Sequence, residues 1–282
     1  MDVRAPTCEF GLELAFVVGH CYALLLNGTL RSTTSLPGME DFYFFSPSHF
    51  IDKETSVPLT RRLCVPVDIS GLDAQTFACA SARKPLKLVW TPPPFKERFG
   101  GQGLSFWLQF CLYKHTDPAR PLLLLHNKVC DEWGRGSVHR IPDWCLKSLV
   151  CQLTRRFQVV YCRPLGTEEG FSEDHNTIDR SAADLRLAEE AGAVLLQTVM
   201  RTMQQPFNRT QLYLHAACSR FISVQGGNSV LASFFGGINL VYAREGVELR
   251  NQLYTSLFPA LSGADIRVVS SLSDLEEQAS RL

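Results

Sequence analysis

FISVQGGNSVLASFFGGINLVY, residues 221–242, is the stretch from which the fold is most readily predicted. Residues 221–224 are an apolar run with a β-branched residue at each second position, which is typical of a strand. Residues 225–229, QGGNS, predict a tight turn, and residues 230–235 predict a short helix. Two glycines end that helix, and residues 238–242 predict the next strand. The stretch therefore predicts a strand–turn–helix–strand unit of an α/β protein.

The turn over residues 225–229 is the main functional clue. Glycine lets another group approach the backbone closely, and Ser229 is expected to cap the following helix. A glycine turn between a strand and a helix is how many α/β proteins hold phosphate groups. The turn matches neither the G-x-G-x-x-G pattern nor the P-loop pattern. A purely structural turn is therefore the alternative.

Composition argues against several classes of function. The chain has 282 residues, enough for one large or two modest domains, and its 28 basic residues balance its 28 acidic ones. No excess of positive charge is available to attract nucleic acid. The ten cysteines include no C-x-x-C pair, so neither a zinc ribbon nor a thioredoxin-like site is predicted. The longest apolar stretch, residues 12–26, is too short and too polar for a membrane span, and we expect a soluble cytoplasmic protein.

Strand and helix patterns alternate in the second half of the chain. We expect strands at residues 121–125, 158–162, 193–199, 221–224, 238–242 and 266–269. We expect helices at residues 142–156, 182–191, 209–218, 230–235 and 271–282. This alternation predicts a parallel sheet that is covered by helices on both faces. Earlier in the chain we expect helices at residues 10–26 and 104–113 and strands at residues 42–45 and 86–90.

Polar residues follow several of these strands, where ligands of open α/β sheets bind. Lys128 and Arg163 are candidates to neutralise a diphosphate, together with the backbone after Gly226. The alternative is that both are ordinary surface charges at the start of loops. His126 is a candidate general base, or else a loop residue that forms hydrogen bonds.

Two ionisable residues of the predicted first helix are also candidates. Glu13 and His20 lie about two turns apart, and the alternative is that both are packed, hydrogen-bonded helix residues. The acidic loop over residues 166–180 has neither the spacing of an EF-hand nor a D-x-D pair. We therefore expect it to be a solvated loop, and no metal site is predicted.

Several stretches resemble a known family. Residues 221–237, with the helix before them and the strand after them, resemble the donor-side signature of glycosyltransferases with two Rossmann domains (the GT-B fold). The likeness is greatest to a group of poorly characterised bacterial, viral and algal glycosyltransferase-like proteins. Residues 8–14, 41–46, 90–99 and 122–128 are similar as well.

The resemblance implies an architecture and a reaction. Residues 1–115 would form an acceptor-side Rossmann-like domain, and residues 116–282 would form the domain that binds the nucleotide sugar. The enzyme would transfer the sugar to a hydroxyl acceptor without a metal or a further cofactor. Residues 1–7 make a poor first strand and the chain is short for two full Rossmann domains, so the N-terminal domain is expected to be reduced or truncated.

Carried over residue by residue, the resemblance also implies a site. The residues that would line the diphosphate are Gln225, Gly226, Gly227, Asn228 and Ser229. Phe10, Gly11 and Glu13 would face the cleft from the N-terminal domain, with Glu13 as a base and His20 behind it. The rival hypothesis is a non-catalytic α/β binding or scaffold protein with this fold. Another nucleotide-binding enzyme is a third hypothesis, and the missing G-x-G-x-x-G pattern weakens its NAD version.

Overall fold

A computed structural model describes residues 1–4, 10–52, 90–131, 138–171, 177–178 and 180–282. These residues form a three-stranded and a six-stranded sheet, both parallel, and a two-stranded antiparallel pair. The predicted mixed α/β class is therefore confirmed. The arrangement of two Rossmann-like domains stays a prediction.

The N-terminal sheet has the order β1-β2-β3, and a long helix follows it. The elements are β1 (Asp2–Arg4), α1 (Phe10–Leu12), a π-helical segment (Glu13–Val18), α2 (Gly19–Leu26), β2 (Ser32–Ser35), a 3₁₀-helix (Glu40–Tyr43), β3 (His49–Ile51) and α3 (Phe95–Lys114). The helix predicted over residues 10–26 is confirmed, although its middle is π-helical.

Two N-terminal predictions were wrong. The first residues do form a strand, because β1 pairs in parallel with the polar strand β2. The aromatic run at residues 42–45 is not a strand: the 3₁₀-helix ends at Tyr43, and Phe42 and Tyr43 are buried in the core. The helix predicted at residues 104–113 is confirmed, although it begins earlier, at Phe95. Of the strand predicted at residues 86–90, all but the last residue lies outside the described residues.

The six-stranded sheet contains most of the second half of the chain. Its elements and their neighbours are β4 (Leu122–His126), β5 (Cys130–Asp131), α4 (Asp143–Leu153), β6 (Gln158–Cys162), β7 (Thr177–Ile178), α5 (Ala183–Glu190), β8 (Val194–Leu195), α6 (Leu196–Met203), α7 (Phe207–Ala217), β9 (Arg220–Val224), α8 (Gly227–Ser233), β10 (Ile238–Tyr242), α9 (Val247–Arg250), α10 (Leu257–Ser262), β11 (Asp265–Val269) and α11 (Leu272–Ser280). The strand order is β11-β10-β9-β4-β6-β8. Starting from β4 in the middle of the sheet, the chain adds β6 and then β8 on one side. It then crosses back to place β9 on the other side of β4, followed by β10 and β11, which is the order of a doubly wound sheet.

The central strands alternate between two hydrophobic cores. Leu124 of β4 packs with α3, α7 and α8 on one face, whereas Leu123 and Leu125 pack with α4, α5 and α11 on the other. Both β4 and β6 are buried along their whole length. The prediction of a parallel sheet covered on both faces is therefore confirmed.

Two C-terminal predictions need correction. Only Val194 and Leu195 of the strand predicted over residues 193–199 are in the sheet, because α6 begins at Leu196. α8 begins at Gly227, three residues earlier than predicted. The proposed domain boundary at residue 115 follows the end of α3, and α3 packs along α7. That boundary stays a prediction.

Candidate functional site

A cavity lies where the strand order reverses between β4 and β9. In doubly wound sheets, ligands bind in the crevice outside the carboxyl ends of the strands at this reversal. Residues 127–129 after β4 and residues 224–228 at the end of β9 line the cavity. Phe10 of α1 and Gln211 of α7 lie in its lining too. We call this space the switch-point cavity.

The switch-point cavity has room for a small polar group. Its volume is about 70 Å³. One water needs roughly 10–15 Å³, so the cavity can admit a group the size of a phosphate.

Lys128 and the glycine turn come together in the cavity, as the strand ends suggested. A Cβ atom built on Gly226 would lie 3.6 Å from Nζ of Lys128. Gly226 has φ 128° and ψ −164°, a backbone conformation that L-residues with side chains rarely adopt. The turn therefore requires glycine at this position and brings backbone within reach of the lysine ammonium group.

Gly227 is explained by packing within the chain. A Cβ atom on Gly227 would lie 2.6 Å from Cδ1 of Phe10 and 3.1 Å from the backbone nitrogen of Gly11. The group that approaches the second glycine of the turn is therefore the start of the N-terminal helical segment. The contacts of Gly227 are those of a purely structural turn. Gly226, by contrast, lies beside Lys128.

Ser229 was predicted to cap the helix that follows the turn, but it does not. The N-cap of α8 is Gly226, and no side chain caps the helix. The Ser229 hydroxyl is fully buried and donates to the carbonyl oxygen of Gly226 at 2.7 Å. The helix begins two residues before Ser229, so the serine lies within the first turn and outside the cavity lining. Asn228, by contrast, is in the lining.

Arg163 also lies outside the cavity lining. Its side chain is buried, and Nε lies 2.8 Å from Oδ2 of Asp184. The guanidinium group also donates to the carbonyl oxygens of Pro164 and Ser181. The sequence correctly placed Arg163 after a strand, but it gave no sign that Asp184 of α5 would be its counterion.

A buried hydrogen-bond network connects this ion pair to the cavity. The Tyr161 hydroxyl donates to Oδ2 of Asp184 at 2.6 Å, and burial, with the charge of Asp184, raises the pKa of Tyr161 well above its ordinary value. Asn127 donates to the Tyr161 oxygen and to the Ile141 carbonyl, both at 3.0 Å. Its own Oδ1 accepts from the backbone nitrogens of Lys128 and Ile141, both at 2.9 Å. Asn127 thereby fixes the backbone that carries Lys128.

His126 is buried beside the cavity and is not in its lining. Its ring stacks on that of His215 from α7, with 4.9 Å between centroids. Burial, with the neighbouring His215, lowers the pKa of His126 well below 6.5. Neither ring nitrogen of His126 has a hydrogen-bond partner among the described residues. Because His126 is not in the lining, its position does not support the role of general base in the cavity.

Glu13 and His20 lie on the N-terminal helical segment and are not part of the cavity lining. Glu13 is buried in the π-helical segment, and its Oε1 accepts a hydrogen bond of 2.7 Å from Tyr43. Burial raises the pKa of Glu13 to about 7, in the range that suits a general base. His20 is partly exposed on α2. Among the described residues, the cavity lining contains neither a carboxylate nor an imidazole.

Two buried glutamines are in the lining, of which Gln225 was predicted and Gln211 was not. Nε2 of Gln225 donates to Oε2 of Glu248 at 2.7 Å, which fixes the amide because a carboxylate only accepts. Oε1 of Gln225 then has no donor among the described residues. Buried acceptors without a donor are rare in folded proteins.

Gln211 is held in the same manner through Asn208. Nδ2 of Asn208 donates to the carbonyl oxygen of Gly38 at 2.7 Å, which leaves Oδ1 to accept from Nε2 of Gln211 at 3.1 Å. Oε1 of Gln211 has no donor in the described part of the chain. The helix predicted over residues 209–218 includes Gln211 but not Asn208, so no sequence signal indicated this contact.

Comparison with known proteins adds no further assignment. No family model matches the chain, and no curated protein or solved structure matches it. Within the described ranges, no three His, Cys, Asp or Glu side chains are grouped to hold a metal ion. None of the described helices is long and apolar enough to cross a membrane.

Proposed function

We propose that the chain binds a nucleotide sugar through its diphosphate in the switch-point cavity. We further propose that it transfers the sugar to a hydroxyl acceptor as a metal-independent glycosyltransferase. The observation that carries the proposal is the meeting of Lys128 and the Gly226 turn at the point where the strand order reverses. The resemblance of the sequence to GT-B glycosyltransferases supports the choice of sugar transfer.

The binding half of the proposal follows from charge and shape. The Lys128 ammonium group is a compact positive charge suited to a phosphate oxygen. Phe10, Phe171 and Phe207 supply aromatic surface to the same lining. Aromatic and apolar walls with a few polar groups are the usual composition of a small-molecule site.

The catalytic half needs a base for the acceptor hydroxyl. We assign this role to Glu13, because burial raises its pKa to about 7 and its helical segment begins at the cavity with Phe10. The proposal gives no proton-transfer role to His20 or His126. Removing a well-placed general base typically slows a reaction by about 10²–10⁴-fold.

A non-catalytic binding protein is the second candidate. The observation in its favour is that the described part of the lining contains no carboxylate or imidazole. Such a protein would hold the same nucleotide sugar at Lys128 and Gly226 without turning it over.

A binding panel followed by a turnover assay separates the two candidates. Thermal unfolding is measured with UDP, GDP, CMP and their sugars at millimolar concentration, and we expect one nucleotide to raise the midpoint. The stabilising nucleotide sugar is then incubated with hydroxyl acceptors, and free nucleotide is quantified by chromatography. Glycosyltransfer predicts that Glu13→Gln retains the stabilisation and loses most of the turnover.

The other outcomes are equally decisive. Stabilisation without turnover by the wild-type protein supports the binding protein and contradicts transfer. If no nucleotide or nucleotide sugar changes the midpoint, both candidates are contradicted.

A further inference from the structure

Two amide oxygens in the wall of the switch-point cavity have no hydrogen-bond donor among the described residues. They belong to Gln211 of α7 and to Gln225 after β9, which are 2% and 5% exposed and both line the cavity. The amide nitrogen of Gln225 donates to Glu248, and that of Gln211 donates to Asn208. Neither amide can exchange its two ends without breaking that hydrogen bond. The wall of the cavity therefore contains two fixed acceptors, each from a different element.

A phosphate group cannot be the partner of these two acceptors. The phosphates of a nucleotide sugar carry no proton at neutral pH, so their oxygens only accept hydrogen bonds. Lys128 supplies a positive charge for such a group, whereas the oxygens of Gln211 and Gln225 repel it. A buried acceptor that a ligand leaves without a donor weakens binding. A ligand that binds well in this cavity therefore has to bring a donor of its own.

The charges around the cavity select the kind of donor. The Lys128 ammonium group belongs to the same lining and disfavours a second cation, whether an amine or a metal ion. The described part of the lining has no carboxylate to offset that repulsion, because Glu248 bonds to Gln225 and lies outside the lining. A neutral hydroxyl group fits best, since one oxygen can donate to an amide oxygen and also accept from an ammonium group.

We propose that Gln211 and Gln225 select a phosphate ester that bears hydroxyl groups close to its phosphate, with one hydroxyl donating to Oε1 of each glutamine. This inference rests on the proposed function, because the phosphate at Lys128 belongs to that proposal. It adds that the ligand is recognised through hydroxylated carbon atoms beside the phosphate. In a nucleotide sugar, both the transferred sugar and the ribose carry such hydroxyl groups.

Two pairs of matched esters test the selection without any substitution. Glucose 1-phosphate is compared with cyclohexyl phosphate, and ribose 5-phosphate is compared with tetrahydrofurfuryl phosphate, which have similar rings without hydroxyl groups. Dissociation constants for the full chain are measured by NMR titration at about pH 8, where the phosphates are fully ionised. We expect the hydroxylated ester of at least one pair to bind roughly tenfold or more tightly, because it forms two additional hydrogen bonds. The pair that shows the preference distinguishes the sugar from the ribose.

Substitution of the glutamines tests whether they are the groups that recognise the hydroxyls. Gln211→Met and Gln225→Met keep the length of the side chain and remove the amide oxygen. Each is expected to weaken binding of the preferred ester by roughly threefold to tenfold and to leave the affinity for its hydroxyl-free match unchanged or higher. Retained binding of the match shows that the variant is folded with Lys128 in place. Gln109→Met, at an exposed position of α3, is the matched control and should behave as the wild type.

The outcomes that overturn this inference differ from those that overturn the proposed function. Equal binding of hydroxylated and hydroxyl-free esters, with both weakened by Lys128→Met, overturns the selection by glutamine and leaves phosphate binding in place. A preference for hydroxyl groups that persists in both glutamine variants overturns it as well. If no ester binds at millimolar concentration, phosphate binding in the cavity is contradicted, and this inference with it.

Discussion

At the scale of single residues, Gly227 and Gly11 meet backbone to backbone. A methyl group on Gly227 would lie 2.6 Å from Cδ1 of Phe10. Gly227→Ala is therefore expected to destabilise the fold by about 1–3 kcal/mol, the usual cost of overpacking. Gly100→Ala is the control and should be neutral or stabilising by about 0.5–1 kcal/mol, because its Cβ would meet open space. Urea unfolding of both variants measures the difference, and equal stabilities would contradict the packing.

Three buried ionisable residues set the pH dependence of stability. Burial lowers the pKa of His215 to about 4 and that of His126 well below 6.5, so the unfolded state binds more protons and stability falls as the pH drops below 6.5. Burial raises the pKa of Glu13 from 4.5 to about 7, so the folded state keeps a proton there and stability falls as the pH rises through this range. Glu13 therefore opposes the histidines between pH 4.5 and pH 6.5.

Glu13→Gln removes the contribution of Glu13 to the pH dependence of stability, which opposes that of the two histidines. The rise in unfolding free energy from pH 4.5 to pH 6.5 should become steeper by up to about 1.4 kcal/mol per pH unit. Denaturant unfolding at several pH values across this window measures the slope. A slope equal to that of the wild type would show that Glu13 titrates alike in the folded and unfolded states.

At the scale of elements, the Arg163–Asp184 pair joins the end of β6 to α5. Arg163→Met leaves the Asp184 carboxylate buried without its cation, which typically costs about 3–5 kcal/mol. Arg209→Met is the matched control, because Arg209 is 42% exposed and its pair with Asp41 should contribute about 0–1 kcal/mol. Unfolding free energies of the two variants give the comparison. Similar losses would contradict the structural role of the buried pair.

Elements with a clear hydrophobic signal could be predicted from the sequence. β6 and β10 were predicted with the bounds they have, because each is a short apolar run between turn residues. β2 was missed because its residues, Ser32–Ser35, are polar and show no apolar alternation. The end of β8 was misplaced because an apolar run after a strand looks the same whether it continues the strand or, as in α6, begins a helix.

At the scale of the whole molecule, the strand ends predicted part of the site. Lys128 and Gly226 do meet, because parallel strands end at one edge of the sheet. Arg163 follows a strand at the same edge, yet the direction of its side chain depends on a counterion from a distant helix. Gln211 reaches the cavity through the packing of α7, which no local pattern contains. Sequence periodicity thus located the edge of the sheet but not which side chains face the cavity.

The central claim is that the switch-point cavity binds a phosphate-bearing ligand through Lys128. The most direct measurement is the affinity of the best-stabilising nucleotide by titration calorimetry for Lys128→Met and for Lys147→Met, a variant of an exposed lysine on α4. We predict that Lys128→Met loses roughly tenfold or more in affinity, as expected for a charge-assisted contact, while Lys147→Met stays close to wild type. Equal affinities of the two variants would contradict the claim.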